Sequence, residues 1–227
     1  MPRGCPSPDV PSTTSSTRPD ASVQIDTLHA DLDERLAALR DDPAPVDRSR
    51  ERVKDASTDG EAHYGISTGF GALAQKKVPH EELEILQRNL VFSHAVGVGD
   101  LVVPKALSRL ILHLKIHALG FGYSGVSRTT FDRLLLFAER DLIPAIPSQG
   151  SVGAVGDLAP LAHLALPLLG EGQFWTEDGT DVRPAERCST MPELPLRSWP
   201  ASPSGASTCF WRATTACRSC GVRSLIA

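Results

Sequence analysis

Four groups of residues carry side chains able to do chemistry. Tyr64 opens the run Tyr64-Gly65-Ile66-Ser67-Thr68-Gly69-Phe70-Gly71, whose three glycines demand a loop with unusual backbone angles. A tyrosine held there can act as a general base only if its surroundings lower its pKa from about 10. On residues alone, a tyrosine packed at the loop edge is the more ordinary reading. His94 follows Ser93 on the apolar stripe of a helical pattern, where a lone histidine is more often a satisfied core residue than a ligand. His113 and His117 stand four apart, a spacing that puts both imidazoles on one helix face and suits a metal. No acid or cysteine in register completes that set, so no metal is assigned. Cys217-Arg218-Ser219-Cys220 has the spacing of a redox or zinc half-site but lacks a partner pair.

A further stretch is the most informative of the chain: Gly150-Ser151-Val152-Gly153-Ala154-Val155-Gly156-Asp157-Leu158-Ala159-Pro160-Leu161-Ala162-His163. It resembles the signature of the histidine and aromatic amino acid ammonia-lyases, which carry Ala-Ser-Gly where this chain has Ala154-Val155-Gly156. In that family the tripeptide cyclises into an electrophilic 4-methylidene-imidazol-5-one (MIO). The Gly nitrogen attacks the Ala carbonyl and water leaves, and the Ser hydroxyl departs as a second water. Val155 has no leaving group on Cβ, so the group is expected to be absent here.

The same resemblance extends to other motifs, in the family's order, over about residues 50–186. The Tyr64 loop is similar to the family's Tyr-Gly-(Ile/Val)-Asn-Thr-Gly-Phe-Gly, whose tyrosine is the base for the β-proton. Ser67 replaces the asparagine, which should weaken an amide hydrogen bond there. Gln87-Arg88-Asn89-Leu90-Val91-Phe92-Ser93-His94-Ala95-Val96-Gly97 resembles the segment of histidine ammonia-lyases whose Ser-His pair meets the substrate imidazole. Phenylalanine and tyrosine lyases have Phe-Leu or His-Leu at that pair, so the resemblance implies L-histidine as substrate. Gly120-Phe121-Gly122-Tyr123-Ser124-Gly125-Val126-Ser127 is similar to a family turn and is read as structural.

The resemblance implies a mainly α fold: the N-terminal part of the ammonia-lyase fold, with helices around a glycine-rich active-site loop and the central helix bundle truncated. Family members are about twice as long. Their second half supplies a Leu-x-Asn-Gly-Thr asparagine and an arginine for the substrate carboxylate, neither of which follows Arg187. The family is homotetrameric, and assembly of this chain is expected to suffer. The implied activity is conversion of L-histidine to urocanate and ammonia, a carbon–nitrogen lyase reaction of histidine catabolism, with this chain inactive as written. The alternatives are a non-catalytic truncated relic, a histidine-binding pseudoenzyme, or a relative of the phenylalanine and tyrosine lyases.

The elements that hold these motifs follow from periodicity. Residues 1–22 are rich in Pro, Ser, Thr and Asp and read as a disordered leader. The lyase-like region occupies 23–186. An amphipathic pattern from Val23 to Leu39 breaks at Asp41-Asp42-Pro43-Ala44-Pro45, and Asp47 to Glu61 is helical in part. His80 to Val96 puts Leu83, Leu86, Leu90 and His94 on one stripe. Pro104 opens the next helix, with Leu107, Leu110, Ile111 and Leu114 as its buried face. Thr129 or Thr130 caps a third, burying Phe131, Leu134, Leu135 and Ala138, and Asp157 caps a fourth that stops at Gly170. Wide apolar faces imply helix packed on helix with little sheet.

Residues 187–227 form a different text, without lysine after Arg187, with one acid (Glu193), and with Cys188, Cys209, Cys217 and Cys220. No period persists there, and charge, pattern and caps disagree. This is the expected product of a reading-frame slip near Pro184 to Arg187, with a disordered low-complexity tail as the alternative.

Composition sets outer bounds. The chain has 227 residues, 41% hydrophobic and 22% charged, which are ordinary soluble-protein proportions. A net charge of −4 gives no basic surface for nucleic acid or acidic lipid. No run approaches the roughly 20 apolar residues of a membrane span. There is no apolar secretory segment near the start and no cysteine between Pro6 and Arg187, so a reduced, cytoplasmic protein is expected.

Overall fold

The computed structural model describes residues 27–69, 75–76, 78–79 and 82–185. The expected leader over 1–22, the tail over 187–227 with its Cys217–Cys220 pair, and Phe70 and Gly71 of the glycine-rich loop lie outside the described residues.

Six helices dominate. Helix α1 (Leu28–Asp41) buries Leu32 and Leu36 against α4 and α5. Helix α2 (Ala44–Thr58) begins inside the expected breaker, because Pro45 sits in the first turn where its missing N–H is not needed. Helix α3 (Leu83–His94) packs on α6, burying Leu83, Gln87 and Val91. Strand β1 (Val98–Val102) leads to α4 (Lys105–Gly120) and then α5 (Arg128–Glu139). Strand β2 (Pro147–Gln149) runs into a 3-10 turn (Gly153–Val155) and α6 (Leu158–Ala165). Strands β3 (Gln173–Trp175) and β4 (Val182–Pro184) close the described region. The mainly α expectation holds, and among the described residues the sheet consists of two antiparallel pairs, β1–β2 and β3–β4.

The core is built where α4 and α5 meet α1, α2 and the segment after α5. Leu112, Ile116, Phe131, Leu134 and Ile143 are fully buried there. Phe137 meets Phe174 edge-to-face with ring centroids 5.2 Å apart, a preferred geometry for two aromatic quadrupoles. Burying apolar area of this kind is the main favourable term in folding.

Helix α4 departs from its expected face. Leu107 and Leu114 are exposed, Leu110 and Ile111 are half-buried, and the buried set is Ser108, Leu112, His113, Lys115, Ile116, Leu119 and Gly120. One residue of phase rotates a helix by about 100°. This sequence has large apolar residues on nearly every side, so packing against α1, α2 and α5 chose the face. The choice buries Lys115, whose pKa burial pushes down to about 7.

The expected caps also moved. Ser127, not Thr129 or Thr130, caps α5, its hydroxyl accepting from the Thr130 amide at 3.2 Å. Asp157 precedes α6, yet its side chain makes no cap bond, because its carboxylate accepts from the Ser151 hydroxyl instead. The turn before α5 is structural, as expected. Gly125 has φ +70°, and a Cβ there would lie 2.1 Å from Val53 Cγ2. Its amide donates to Ser49 Oγ at 3.1 Å and its carbonyl accepts from Arg50, so two buried polar residues of α2 are satisfied by this turn.

Candidate active site

Tyr64 stands on the loop that leaves α2, with half of its surface exposed. The loop is folded by its own hydroxyls. The His63 amide donates to Ser67 Oγ at 3.0 Å, Ser67 donates to the Glu61 carbonyl at 3.2 Å, and the Gly65 amide donates to Thr68 Oγ1 at 3.2 Å. Ser67 is buried and spends its hydroxyl inside the loop. The Val78 amide, donating to the Ser67 carbonyl at 2.9 Å, ties the loop to the approach to α3.

Ser93 and His94 occupy the last turn of α3. The Leu90 carbonyl lies 2.7 Å from His94 Nδ1 and 3.0 Å from Ser93 Oγ, and the two side chains are 3.2 Å apart. A carbonyl only accepts, so His94 carries a hydrogen on Nδ1. The neighbouring stripe positions Leu86 and Leu90 are half-buried, and His94 likewise. The pair therefore forms one oriented polar unit at the helix end.

The stretch Gly150–Gly156 approaches that unit through β1 and β2. Val98, four residues after His94, is paired with Gln149, five residues before Ala154. Beyond Gln149 the chain bends into the 3-10 turn Gly153–Val155. Gly156 then adopts a left-handed conformation (φ 79°), its amide donating to the Gly153 carbonyl at 3.1 Å. Asp157 follows with φ 53°, so two consecutive left-handed residues reverse the chain into α6. Ala154 is exposed on this turn. The backbone is thus compact where the family closes a ring.

Sequence reasoning missed one residue of this junction. His163, half-buried in the last turn of α6, accepts the Gly97 amide hydrogen at its Nε2, 3.0 Å away. Burial lowers its pKa. The motif around it was legible, but its role was not, because the bond joins segments 66 residues apart.

The structure links the segment after Ser93 and His94 to the strand before the Ala154-Val155-Gly156 turn and to the helix after it, and Tyr64 stands on the loop that leaves α2. His113 and His117 meet different partners. His113 Nδ1 faces Asp33 at 3.3 Å, and burial lowers its pKa against that carboxylate's opposing pull. His117 packs edge-to-face on Phe121 with centroids 4.7 Å apart. Among the described residues no group of three His, Cys, Asp or Glu is placed to hold a metal. No helix among them is long and apolar enough to cross a membrane.

A mainly helical chain in which the segment after a Ser-His pair is tied to both flanks of a tight Ala-x-Gly turn has the layout of an amino acid lyase's motifs. The family model for aromatic amino acid lyases matches residues 25–196, and the chain belongs to that family. Within it the similarity is to histidine ammonia-lyases. The chain is 50% identical over 142 residues to the histidine ammonia-lyase of Anaeromyxobacter dehalogenans (strain 2CP-C), covering 63% of this chain and 28% of that one. The crystal structure of histidine ammonia-lyase from Trypanosoma cruzi superposes with a TM-score of 0.60 at 29% identity, over 80% of this chain and 37% of that one. Ergothionase from Treponema denticola shares the fold, with a TM-score of 0.67 at 23% identity over 83% and 37% of the two chains. The chain therefore spans between a quarter and two fifths of the relatives it matches.

Proposed function

We propose that this chain is a histidine ammonia-lyase-type protein whose recognition end is built for the imidazole of L-histidine and which forms no urocanate as written. The observation that carries the substrate reading is the Ser93–His94 unit, held by one carbonyl at the end of α3 and oriented by its own hydrogen bonds. The Nδ1 bond to the Leu90 carbonyl sets the orientation of the His94 ring beside Ser93. The Ser93 hydroxyl can both donate and accept. A phenyl ring would make no hydrogen bond to these groups, so a polar ring is the better match.

The family's MIO group supplies the electrophile that turns the substrate amine into a leaving group. The residues present here do not fit it. The backbone turn at Gly153–Gly156 is compact enough, but Val155 carries no β-hydroxyl to lose. Tyr64 keeps the place of the base that takes the β-proton, on a half-exposed loop position. With a base and an imidazole site but no electrophile, the elimination of ammonia has no activated leaving group. By the same family reading, the working form is a cytoplasmic homotetramer acting in histidine breakdown, with neither nucleic acid nor membrane as partner.

Incubation of the purified protein with L-histidine, followed by urocanate absorbance, tests the activity, and the expected result is none. The intact mass should equal that of the unmodified chain. A deficit of two waters in the peptide around Ala154-Val155-Gly156 would overturn the cofactor reading.

A further inference from the structure

We propose that His163 is a positioning residue that fixes the Ser93–His94 segment against the tripeptide turn by accepting the Gly97 amide hydrogen. Gly97 lies three residues beyond His94, and His163 lies seven beyond Gly156. A single bond of 3.0 Å thus joins the two motif segments directly, each close to its own chemistry. An amide N–H only donates, so Nε2 presents its lone pair and the neutral ring carries its hydrogen on Nδ1.

The surroundings are shaped for this bond. A Cβ at position 97 would stand 2.8 Å from His163 Nε2 and 2.9 Å from Pro147 Cβ and Cγ. Only glycine lets the imidazole and the proline close on that backbone. From the other side, a Cβ at Gly150 would stand 3.0 Å from Gly97 Cα and 3.5 Å from Ala159 Cβ. The end of α3, the start of β2, the bend at Gly150 and helix α6 therefore meet around one amide. Helices α3 and α6 pack on each other, so a shift of the imidazole is passed to both. Burial, which favours the neutral ring, is consistent with an accepting nitrogen.

That the bond aligns a substrate-binding pair rests on the histidine reading proposed above, whereas the bond itself does not. Nitrogen-15 NMR of the full 227-residue chain reports the ring state of His163 without any substitution. The expected result is the Nδ1–H tautomer with a coupling to the Gly97 amide, and an Nε2–H tautomer would overturn the proposal. His163→Ala should speed Gly97 amide exchange by about fivefold, the loss of one hydrogen bond. It should also move the signals of Ser93, His94 and Ala154–Gly156 together. His163→Gln places a side-chain oxygen near the lost Nε2 and should restore most of both effects. Equal loss in the two variants, or unmoved Ser93 and His94 signals in His163→Ala, would also overturn it. Titration with L-histidine separates the two readings. If His94 signals ignore histidine while the tautomer and rescue results hold, the substrate reading fails and the positioning role stands.

Discussion

The α4–α5 side and the α3–α6 side of this molecule are finished to different degrees. On the first, Leu112, Ile116, Phe131, Leu134 and Phe137 are shut away completely, and Asp141 is gripped by Lys105 at 2.7 Å and by Arg109 at 2.6 Å. Burial alone would raise the Asp141 pKa, but these two cations outweigh it and hold the carboxyl below its ordinary range. On the second side, which carries the motif residues, Ile85 is 61% exposed, Val96 61%, Val98 60% and Val152 52%. Each side has buried and exposed apolar residues, Leu107 of α4 being 53% exposed, but on the second the exposed ones flank the motif residues.

The sharpest way to break this comparison is to cut one aromatic from each side. Phe137→Ala should cost about 3–5 kcal/mol in denaturant unfolding, since it opens a cavity against Phe174. Phe92→Ala, at the exposed face of α3, should stay within about 0.5 kcal/mol and reduce the binding of hydrophobic dyes. Equal losses would show that the α3 side is as tightly closed as the α5 side.

A second effect concerns the site alone. Residues 1–186 carrying Val155→Ser, joined to the remaining length of a histidine ammonia-lyase, should prefer histidine to phenylalanine. Adding His94→Leu should shift that preference by tenfold to a hundredfold, the equivalent of about 1–3 kcal/mol for a polar partner left unpaired. Unchanged histidine turnover would remove His94 from recognition. Val155→Ser in the 227-residue chain should still yield no urocanate, because it repairs the tripeptide without supplying an arginine for the carboxylate.

Helix caps give a smaller contrast. Ser127→Ala removes a formed cap and should cost about 1 kcal/mol. Asp157→Ala removes no cap bond and should change unfolding less, while freeing Ser151 and loosening amide exchange across Gly153–Gly156. A larger loss for Asp157→Ala would place the stability of α6 in the left-handed turn itself.

The smallest effect spans both sides and follows pH. His113, His117 and His163 all have pKa values lowered by burial from 6.5. The unfolded chain therefore binds protons near pH 6.5 that the folded chain refuses until lower pH. Stability should be constant from these groups above about 6.5, fall as pH drops below it, and level off below the folded values. Thermal unfolding between pH 7.5 and 5 checks the slope, and His163→Gln should reduce it.

Much of the fold was legible. Helix α5 announced itself because Phe131, Leu134 and Leu135 repeat at helical spacing, and all three are buried. Helix α4 was legible as a helix but not in its rotation, since Leu107, Leu110, Ile111 and Leu114 on one side compete with Leu112, Ile116 and Leu119 on another. Strands β1 and β2 gave no signal, because each is short and neither alternates strictly. At the site, Tyr64, Ser93, His94 and the tripeptide were visible as local words, whereas the link between the segments of the last three was not.

The sequence by itself determined two things here. Val155 lacks a β-hydroxyl in any conformation, because the leaving group is a matter of covalent structure. Ser93 and His94 share the Leu90 carbonyl because a helix fixes neighbours three and four residues away. The tertiary structure alone decided which face of α4 went inward and that His163 would accept from Gly97. Both depend on contacts between segments far apart in the chain, where shape and packing select a partner that no local spacing encodes.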